Sequence, residues 1–114
     1  MLKMYGLKNC DTCRKAMKWL ESEGIAFDFV DVRKDGITET DVAGWVDSAG
    51  VDQLLNRRGT TWRGLSGADK AKGEGDGAVA LMAEHPALIK RPVFDRRGEI
   101  RVGFKDPEQA WLKN

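Results

Sequence analysis

Hydrophobic residues recur along the first third of the chain with spacings typical of a strand, a helix and a second strand. Leu2–Gly6 reads as a short strand, and the apolar positions after it repeat at i, i+3, i+4 and i+7, which predicts a helix over residues 11–23. These apolar positions are Cys13, Ala16, Met17 and Leu20. Gly24 is expected to end the helix, and Ile25–Val32 is apolar enough to form a strand covered on both faces. Tight connections between these elements predict a right-handed βαβ unit with parallel strands.

The middle of the chain has helical spacing. Thr38, followed three residues later by Asp41, resembles a capping box, although Glu or Gln is the usual partner. The apolar residues after it repeat at helical spacing, and Gly50 is expected to end this helix. A short turn over residues 51–55 is predicted to follow.

Two more helices are predicted on either side of a glycine-rich segment. Ser66 is expected to open a small helix through Lys72. The glycine run over residues 73–77 follows no strand, so we interpret it as a flexible connection and not as a nucleotide loop. Asp76 is the expected N-cap of the next helix, which Pro86 stops.

The last part of the chain returns to strand spacing. Pro92–Phe94 and residues 99–104 read as two antiparallel strands joined by a turn over residues 95–98. Asp106 as N-cap and Pro107 as a favoured first residue predict a final helix.

The order of these elements predicts the fold class. A βαβ unit, a helical segment and a ββα unit follow one another, which is the order of an α/β thioredoxin-like domain with helices inserted in its middle. We therefore expect a single domain over residues 1–114 with a helical insertion at about 38–86.

Composition and charge exclude several classes of function. The chain has 19 basic and 18 acidic residues, so its formal charge of +1 gives no reason to expect direct binding of nucleic acid or of an acidic membrane. No apolar run approaches the ~20 residues of a membrane span, and the N-terminus lacks a signal-peptide pattern. We expect a cytoplasmic, monomeric protein in a reducing compartment, where paired cysteines more often serve in catalysis or sensing than as structural disulfides.

The only two cysteines, Cys10 and Cys13, stand at the start of the first predicted helix. A helix N-terminus favours negative charge, and the thiolate is the reactive form of cysteine. A zinc site needs four ligands, and His85, the only histidine, would be a third. We read His85 as structural and expect no metal. Redox-active thiols are the favoured interpretation, and inert packing is the alternative.

The two thiols are expected to differ in role. Cys10 falls at the first turn of the helix, where free N–H groups point toward its sulfur, so it is the predicted nucleophile. Cys13 is either the resolving thiol or a helix-face residue packed on the core. We expect a pKa below the ordinary value for Cys10, helped by the charge of Arg14, and a higher pKa for Cys13.

Residues near Cys10 are candidates for binding an anion. Arg14 lies one helical turn along and adds positive potential, or else belongs to a solvated helix face. Asn9 and Thr12 are suited to hydrogen-bond an anion or to cap a backbone N–H.

Four segments in this order resemble the arsenate reductase/Spx family, also called the ArsC family, and most closely its YffB-like proteins. The segments are Tyr5–Thr12, Leu55–Arg63, Ile89–Val93 and Val102–Lys105. The resemblance covers nearly the whole chain and implies a thioredoxin-like fold. It also implies a cis peptide bond before Pro92, opposite the reactive thiol.

The resemblance also implies an enzyme and its co-substrate. In the family's arsenate reductases a cysteine matching Cys10 attacks arsenate, and glutathione with glutaredoxin takes up the oxidising equivalents. No cofactor is tightly bound. Three arginines hold the oxyanion: Arg58 matches the first and Arg91 the second, whereas the third position falls on Lys105. Lysine keeps the charge but loses the bidentate fork. The resemblance thereby adds the charge of Arg58 to that of Arg14 as an expected cause of a lowered pKa at Cys10. We therefore expect a glutathione-dependent thiol reductase, with glutathione or a glutaredoxin- or thioredoxin-type protein as reductant.

Cys13 introduces the alternative function. The family's arsenate reductases tend to have a serine-like residue there, whereas Spx-type regulators have a C-x-x-C pair that switches between dithiol and disulfide and alters contact with RNA polymerase. The Cys10/Cys13 pair therefore leaves open an Spx-like redox sensor that binds RNA polymerase.

Overall fold

The computed structural model of this chain describes residues 2–75 and 77–114, so the predicted N-cap Asp76 lies outside the described residues. Two compact units are present. The first comprises the chain up to Asp35 and from Arg91 onward, and the second comprises Gly36–Lys90. Among the helices of the described residues, none has the length and apolar character needed to span a membrane.

The elements alternate as an α/β fold with a helical middle. In chain order they are β1 Leu2–Gly6, α1 Asp11–Ser22, β2 Phe27–Asp31, α2 Glu39–Ala49, α3 Val51–Leu54, α4 Thr60–Arg63, α5 Gly67–Lys72, α6 Gly77–Glu84, a short 3-10 helix Pro86–Leu88, β3 Val93–Arg96, β4 Glu99–Val102 and α7 Asp106–Lys113. The sheet has the order β2-β1-β3-β4. Strands β1 and β2 are parallel, whereas β1 with β3 and β3 with β4 are antiparallel. The predicted α/β thioredoxin-like fold is confirmed.

The βαβ unit matches its prediction except in one respect. Helix α1 occupies the predicted segment, and Gly24 has the left-handed conformation, with φ of 70°, that its C-terminus requires. The prediction that the second strand is covered on both faces is wrong. Strand β2 lies at an edge of the sheet, with Asp28 exposed and Phe27 and Phe29 half-buried. Apolar content alone did not distinguish a central strand from an edge strand whose apolar residues alternate.

One apolar core holds the sheet of the first unit against its two helices. Its buried members are Leu2, Met4, Cys13, Ala16, Leu20, Phe94 and Leu112. Trp19 of α1 meets the Phe104 ring edge to face at 5.4 Å between centroids. Lys113 of α7 pairs with Glu23 at 3.1 Å. Cys13 belongs to this core and is buried, whereas Cys10 packs against the core and is half-buried.

The second unit is helical, as predicted, and its first cap is the expected one. The Thr38 hydroxyl accepts the Asp41 N–H at 3.1 Å, while the Asp41 carboxylate accepts the Thr38 N–H at 3.2 Å. Gly50, with φ of 87°, ends α2. The predicted turn over residues 51–55 is instead the short helix α3, because the chain resumes helical geometry directly after Gly50.

Helix α5 begins after Ser66, whose hydroxyl accepts the Asp69 N–H at 3.1 Å, as predicted. The predicted flexible connection behind it begins with a packed residue. Gly73 is buried, and its carbonyl accepts a 3.4 Å hydrogen bond from Nη2 of Arg57. At this first position of the glycine run, the lack of a side chain serves packing.

The C-terminal segment forms the predicted hairpin and helix with small shifts. The hairpin turn is stabilised by a 2.9 Å hydrogen bond from the Gly98 N–H to the Asp95 carboxylate. Helix α7 begins at Asp106, so its N-cap is Lys105 and the predicted cap is wrong by one residue. The reason is Glu108, whose Oε1 accepts the Lys105 N–H at 2.8 Å and closes the first turn around that residue.

Candidate active site

Cys10 lies at the junction of a loop and a helix. Strand β1 ends at Gly6, and the loop that follows delivers Cys10 as the N-cap of α1, with φ of −92° and ψ of 124°. Its N–H donates to the Leu7 carbonyl at 3.2 Å, and its carbonyl accepts the Arg14 N–H at 2.9 Å. The thiol is half-buried, so it is accessible while resting on the core.

Burial and local charge act in opposite directions on the Cys10 thiol. Burial raises its pKa, but interactions of the sulfur with the backbone N–H of Cys13, the side chains of Arg91 and Cys13, and the charge of Arg91 outweigh burial and lower the pKa below the ordinary value. The predicted direction is confirmed. The predicted source, Arg14 together with Arg58, is wrong, because the cation that lowers the pKa is Arg91.

Arg14 is engaged elsewhere. Its Nε donates to the Lys8 carbonyl at 3.0 Å, and its Nη1 is 3.9 Å from the Asp11 carboxylate. The guanidinium therefore turns back along the loop that precedes Cys10 and supports that loop.

The second thiol has the opposite character. Burial, and to a lesser extent the neighbouring Cys10, raises the pKa of Cys13 to about 11, although the backbone of Leu7 and the charge of Arg91 lower it. Its sulfur lies so close to β1 that a Cβ built on Gly6 would be 2.5 Å from it. Cys13 is thus a protonated thiol at neutral pH, and the predicted difference between the two cysteines is confirmed.

Arg91, the cation beside Cys10, lies two residues before the start of β3. Arg91 is half-buried, and the peptide bond that joins it to the buried Pro92 is cis, as the family resemblance implied. The carbonyl of Pro92 accepts the Gly103 N–H at 2.8 Å, which fixes the segment that enters β3. The structure therefore brings Cys10, Cys13 and Arg91 together within the first unit.

The remaining predicted site residues have exposed side chains. Asn9 and Thr12 flank the cysteines, and Lys105 stands at the start of α7. Arg58 belongs to the second unit, where its N–H donates to Oδ1 of Asn56 at 3.0 Å. Their roles in binding an anion stay predictions.

One residue near the site was not predicted. Asp31 lies at the end of β2 and is 8% exposed. Among the residues that the structure describes, it is the charged residue that is buried. A single aspartate between a strand and a polar turn has the sequence pattern of a solvated turn residue, so the sequence offers no distinct signal for its burial. Within the described parts of the chain, no group of three or more His, Cys, Asp or Glu side chains is placed to hold a metal ion.

Comparison with known proteins places the chain in a family. The model of the ArsC family matches residues 5–111. A solved structure named YffB is 39% identical, covers both chains completely and superposes with a TM-score of 0.89. An arsenate reductase (ArsC) related protein from Brucella melitensis is 38% identical over 99% of this chain and 95% of that one, with a TM-score of 0.77. The global transcriptional regulator Spx 2 of Lactococcus lactis is 24% identical over 95% of this chain and 83% of its own length. The chain belongs to the ArsC family.

Proposed function

We propose that this protein is a thiol–disulfide oxidoreductase that uses Cys10 as nucleophile and glutathione as reductant. The observation that carries the proposal is the contrast between two thiols. Cys10 is accessible and has a lowered pKa, whereas Cys13 is buried and has a pKa of about 11, and the charge of Arg91 lowers the pKa of both. Membership of the ArsC family supports oxidoreductase chemistry. The dependence on glutathione is the more specific part of the proposal.

The first step is attack of the Cys10 thiolate on one sulfur of a substrate disulfide. A sulfur–sulfur bond forms between Cys10 and that half of the substrate, the original disulfide bond breaks, and the other half leaves as a thiolate that takes a proton from water. The guanidinium of Arg91 favours the thiolate form of Cys10 before the attack and stabilises negative charge at the site afterwards.

The mixed disulfide then changes the properties of Cys13. While Cys10 is a thiolate, its charge and its interaction with the second sulfur raise the pKa of Cys13. Both contributions end when Cys10 becomes part of a disulfide, although burial remains. Cys13 is therefore easier to ionise at the stage where it is needed, and its attack on Cys10 releases the second substrate thiol. Two glutathione molecules reduce the resulting Cys10–Cys13 disulfide to two thiols and become glutathione disulfide.

An anionic group of glutathione or of an oxyanion substrate would bind beside Cys10. Arg91 supplies the charge that the geometry supports. Arg58 and Lys105 enter the proposed site on the family resemblance, whereas Asn9, Thr12 and Arg14 enter it because they are close to the cysteines in the sequence. Pro92 enters it through its cis bond to Arg91.

A second candidate function is that of an Spx-like redox sensor. It is favoured by the C-x-x-C pair and by the match to the regulator Spx 2 over 95% of this chain. In this case the Cys10–Cys13 disulfide would alter binding to RNA polymerase, and no glutathione turnover would be needed.

A paired assay separates the two candidates. Glutathione-coupled reduction of a small disulfide is measured for the wild type, Cys10→Ser, Cys13→Ser and Arg58→Ala, beside capture of RNA polymerase by the reduced and the oxidised protein. The enzyme predicts turnover that Cys10→Ser abolishes and Arg58→Ala lowers. Absence of turnover together with redox-dependent capture of RNA polymerase would replace the enzyme by the sensor.

A further inference from the structure

A buried carboxylate joins the end of β2 to the turn that follows it. Oδ1 of Asp31 accepts the N–H groups of Arg33 and Lys34, each at 2.9 Å, and the Asp31 N–H donates to Oδ2 of Asp35 at 3.0 Å. These contacts close the turn after the strand in the manner of an Asx turn. They account for one part of what Asp31 contacts.

The other part is the loop that carries Cys10. Gly6, the last residue of β1, pairs with Asp31, and its carbonyl accepts the Val32 N–H at 2.9 Å. Beyond this pair, a cavity of about 260 Å³ separates the two connections and is lined by Leu7, Lys8, Asn9, Asp31, Arg33 and Lys34. The carboxylate of Asp31 therefore faces the loop immediately before the reactive thiol.

Two hydrogen-bonded N–H groups of the turn, and the N–H group of Lys8 across the cavity, favour the charged form of this carboxylate. The N–H of Lys34 lowers the pKa of Asp31 most, burial opposes it, and the N–H groups of Arg33 and Lys8 and then the charge of Lys8 lower it further. The interaction with Lys8 comes from outside the turn, across the cavity that both residues line. Because the Lys8 carbonyl also accepts from Nε of Arg14, the peptide groups on both sides of Lys8 are held.

We propose that Asp31 is a positioning residue for Cys10: through the backbone of Lys8 its carboxylate fixes the loop over residues 7–9 and so holds the sulfur of Cys10 against Arg91. The inference rests on the proposed role of Cys10 as nucleophile. Asp31 acts on the reaction only through the loop and touches neither the sulfur nor the substrate.

A charge effect and a positioning effect have opposite signs here. A nearby carboxylate disfavours ionisation of a thiol, so removing its charge would by itself lower the pKa of Cys10. Releasing the loop would raise that pKa, because the sulfur would lose its alignment with Arg91 and with the first turn of α1. A residue that only closes its own turn would leave the pKa of Cys10 unchanged or, through its lost charge, lower it.

The test is the pH dependence of Cys10 alkylation in Asp31→Asn, with Asp35→Asn as the matched control in the same turn. The amide keeps one oxygen for the turn but presents an NH₂ group where a second acceptor stood. We expect the alkylation rate of Cys10 at pH 7 to fall about three- to tenfold in Asp31→Asn, in proportion to the lost thiolate, and to stay within about twofold of wild type in Asp35→Asn.

Asp31→Glu is the second variant, and it keeps the charge while displacing the carboxylate by one methylene. A slower reaction of Cys10 in this variant must come from position. An unchanged rate in both Asp31 variants, or a faster rate in Asp31→Asn, overturns the inference. Alkylation needs no turnover, so these results are independent of the glutathione assay: a wild-type Cys10 without a lowered pKa contradicts the proposed function itself.

Discussion

Arg91 in the first unit and Arg57 in the second are both half-buried arginines from segments that carry the family resemblance, but they have different partners. The guanidinium of Arg91 stabilises the thiolate of Cys10. The guanidinium of Arg57 lies 3.2 Å from the Asp52 carboxylate and donates to the Gly73 carbonyl at 3.4 Å. One cation acts on a reactive sulfur, whereas the other stabilises the connection between two helices.

Each unit also has a closely packed glycine near these residues. A Cβ on Gly6 would meet the sulfur of Cys13 at 2.5 Å, and a Cβ on Gly73 would meet Leu55 at 3.0 Å and the Trp62 ring at 3.1 Å. The same residue types thus serve reactivity in one unit and packing in the other. An arginine or a glycine in a family segment indicates a functional site only when its neighbours are known.

The largest expected effect comes from exchanging the two arginines for alanine. Arg91→Ala should raise the pKa of Cys10 and lower glutathione-dependent turnover roughly ten- to hundredfold, because a charge-assisted hydrogen bond contributes about 1.5–3 kcal/mol. Arg57→Ala should leave Cys10 alkylation unchanged and lower the free energy of unfolding by about 1 kcal/mol or less, since its ion pair is at the surface. Equal effects of the two variants on Cys10 would remove the distinction between them.

The two glycines give the next largest effect, measured as the free energy of unfolding in urea. Gly6→Ala should destabilise the protein by about 1–3 kcal/mol, because the short Cys13 side chain has to move within a packed core. Gly73→Ala should cost less, since its neighbours need to shift by only a few tenths of an ångström. Gly44→Ala, in helix α2 with nothing within 4 Å, is the control and should stabilise by roughly 0.5–1 kcal/mol. A Gly6→Ala protein as stable as wild type would contradict the placement of Cys13.

The smallest effect is a pH dependence of stability that belongs to Cys13. Its pKa rises from 9.0 to about 11 on folding, so between these values the unfolded state loses the proton that the native state keeps. Stability must therefore fall as pH rises through this window, by roughly 1.4 kcal/mol between pH 8 and pH 10. Unfolding in urea at pH 8, 9 and 10 should show this decline in the wild type relative to Cys13→Ala. Parallel pH profiles for both proteins would show that the thiol is not buried in its protonated form.

The sequence predicts the order of elements because strand and helix periodicities and caps are local properties. It did not predict that β2 lies at an edge, since this depends on where β3 pairs. It also did not identify Arg91 from the residues alone as the cation at Cys10, because the two are distant in the chain and only folding brings them together; the family resemblance supplied that pairing. The role of Asp31 is not predictable from the sequence, because the backbone N–H groups that favour its charged form belong to two separate loops.

In the proposed mechanism Cys10 is the reactive thiol and Cys13 is its buried partner. The most direct measurement is the alkylation rate against pH for Cys13→Ser, which retains Cys10, and for Cys10→Ser, which retains Cys13. We expect Cys10 to react rapidly at neutral pH with a pKa below the ordinary value, and Cys13 to react slowly until the pH is well above 9. Faster alkylation of Cys13 than of Cys10 at neutral pH would reverse the two roles and contradict the account.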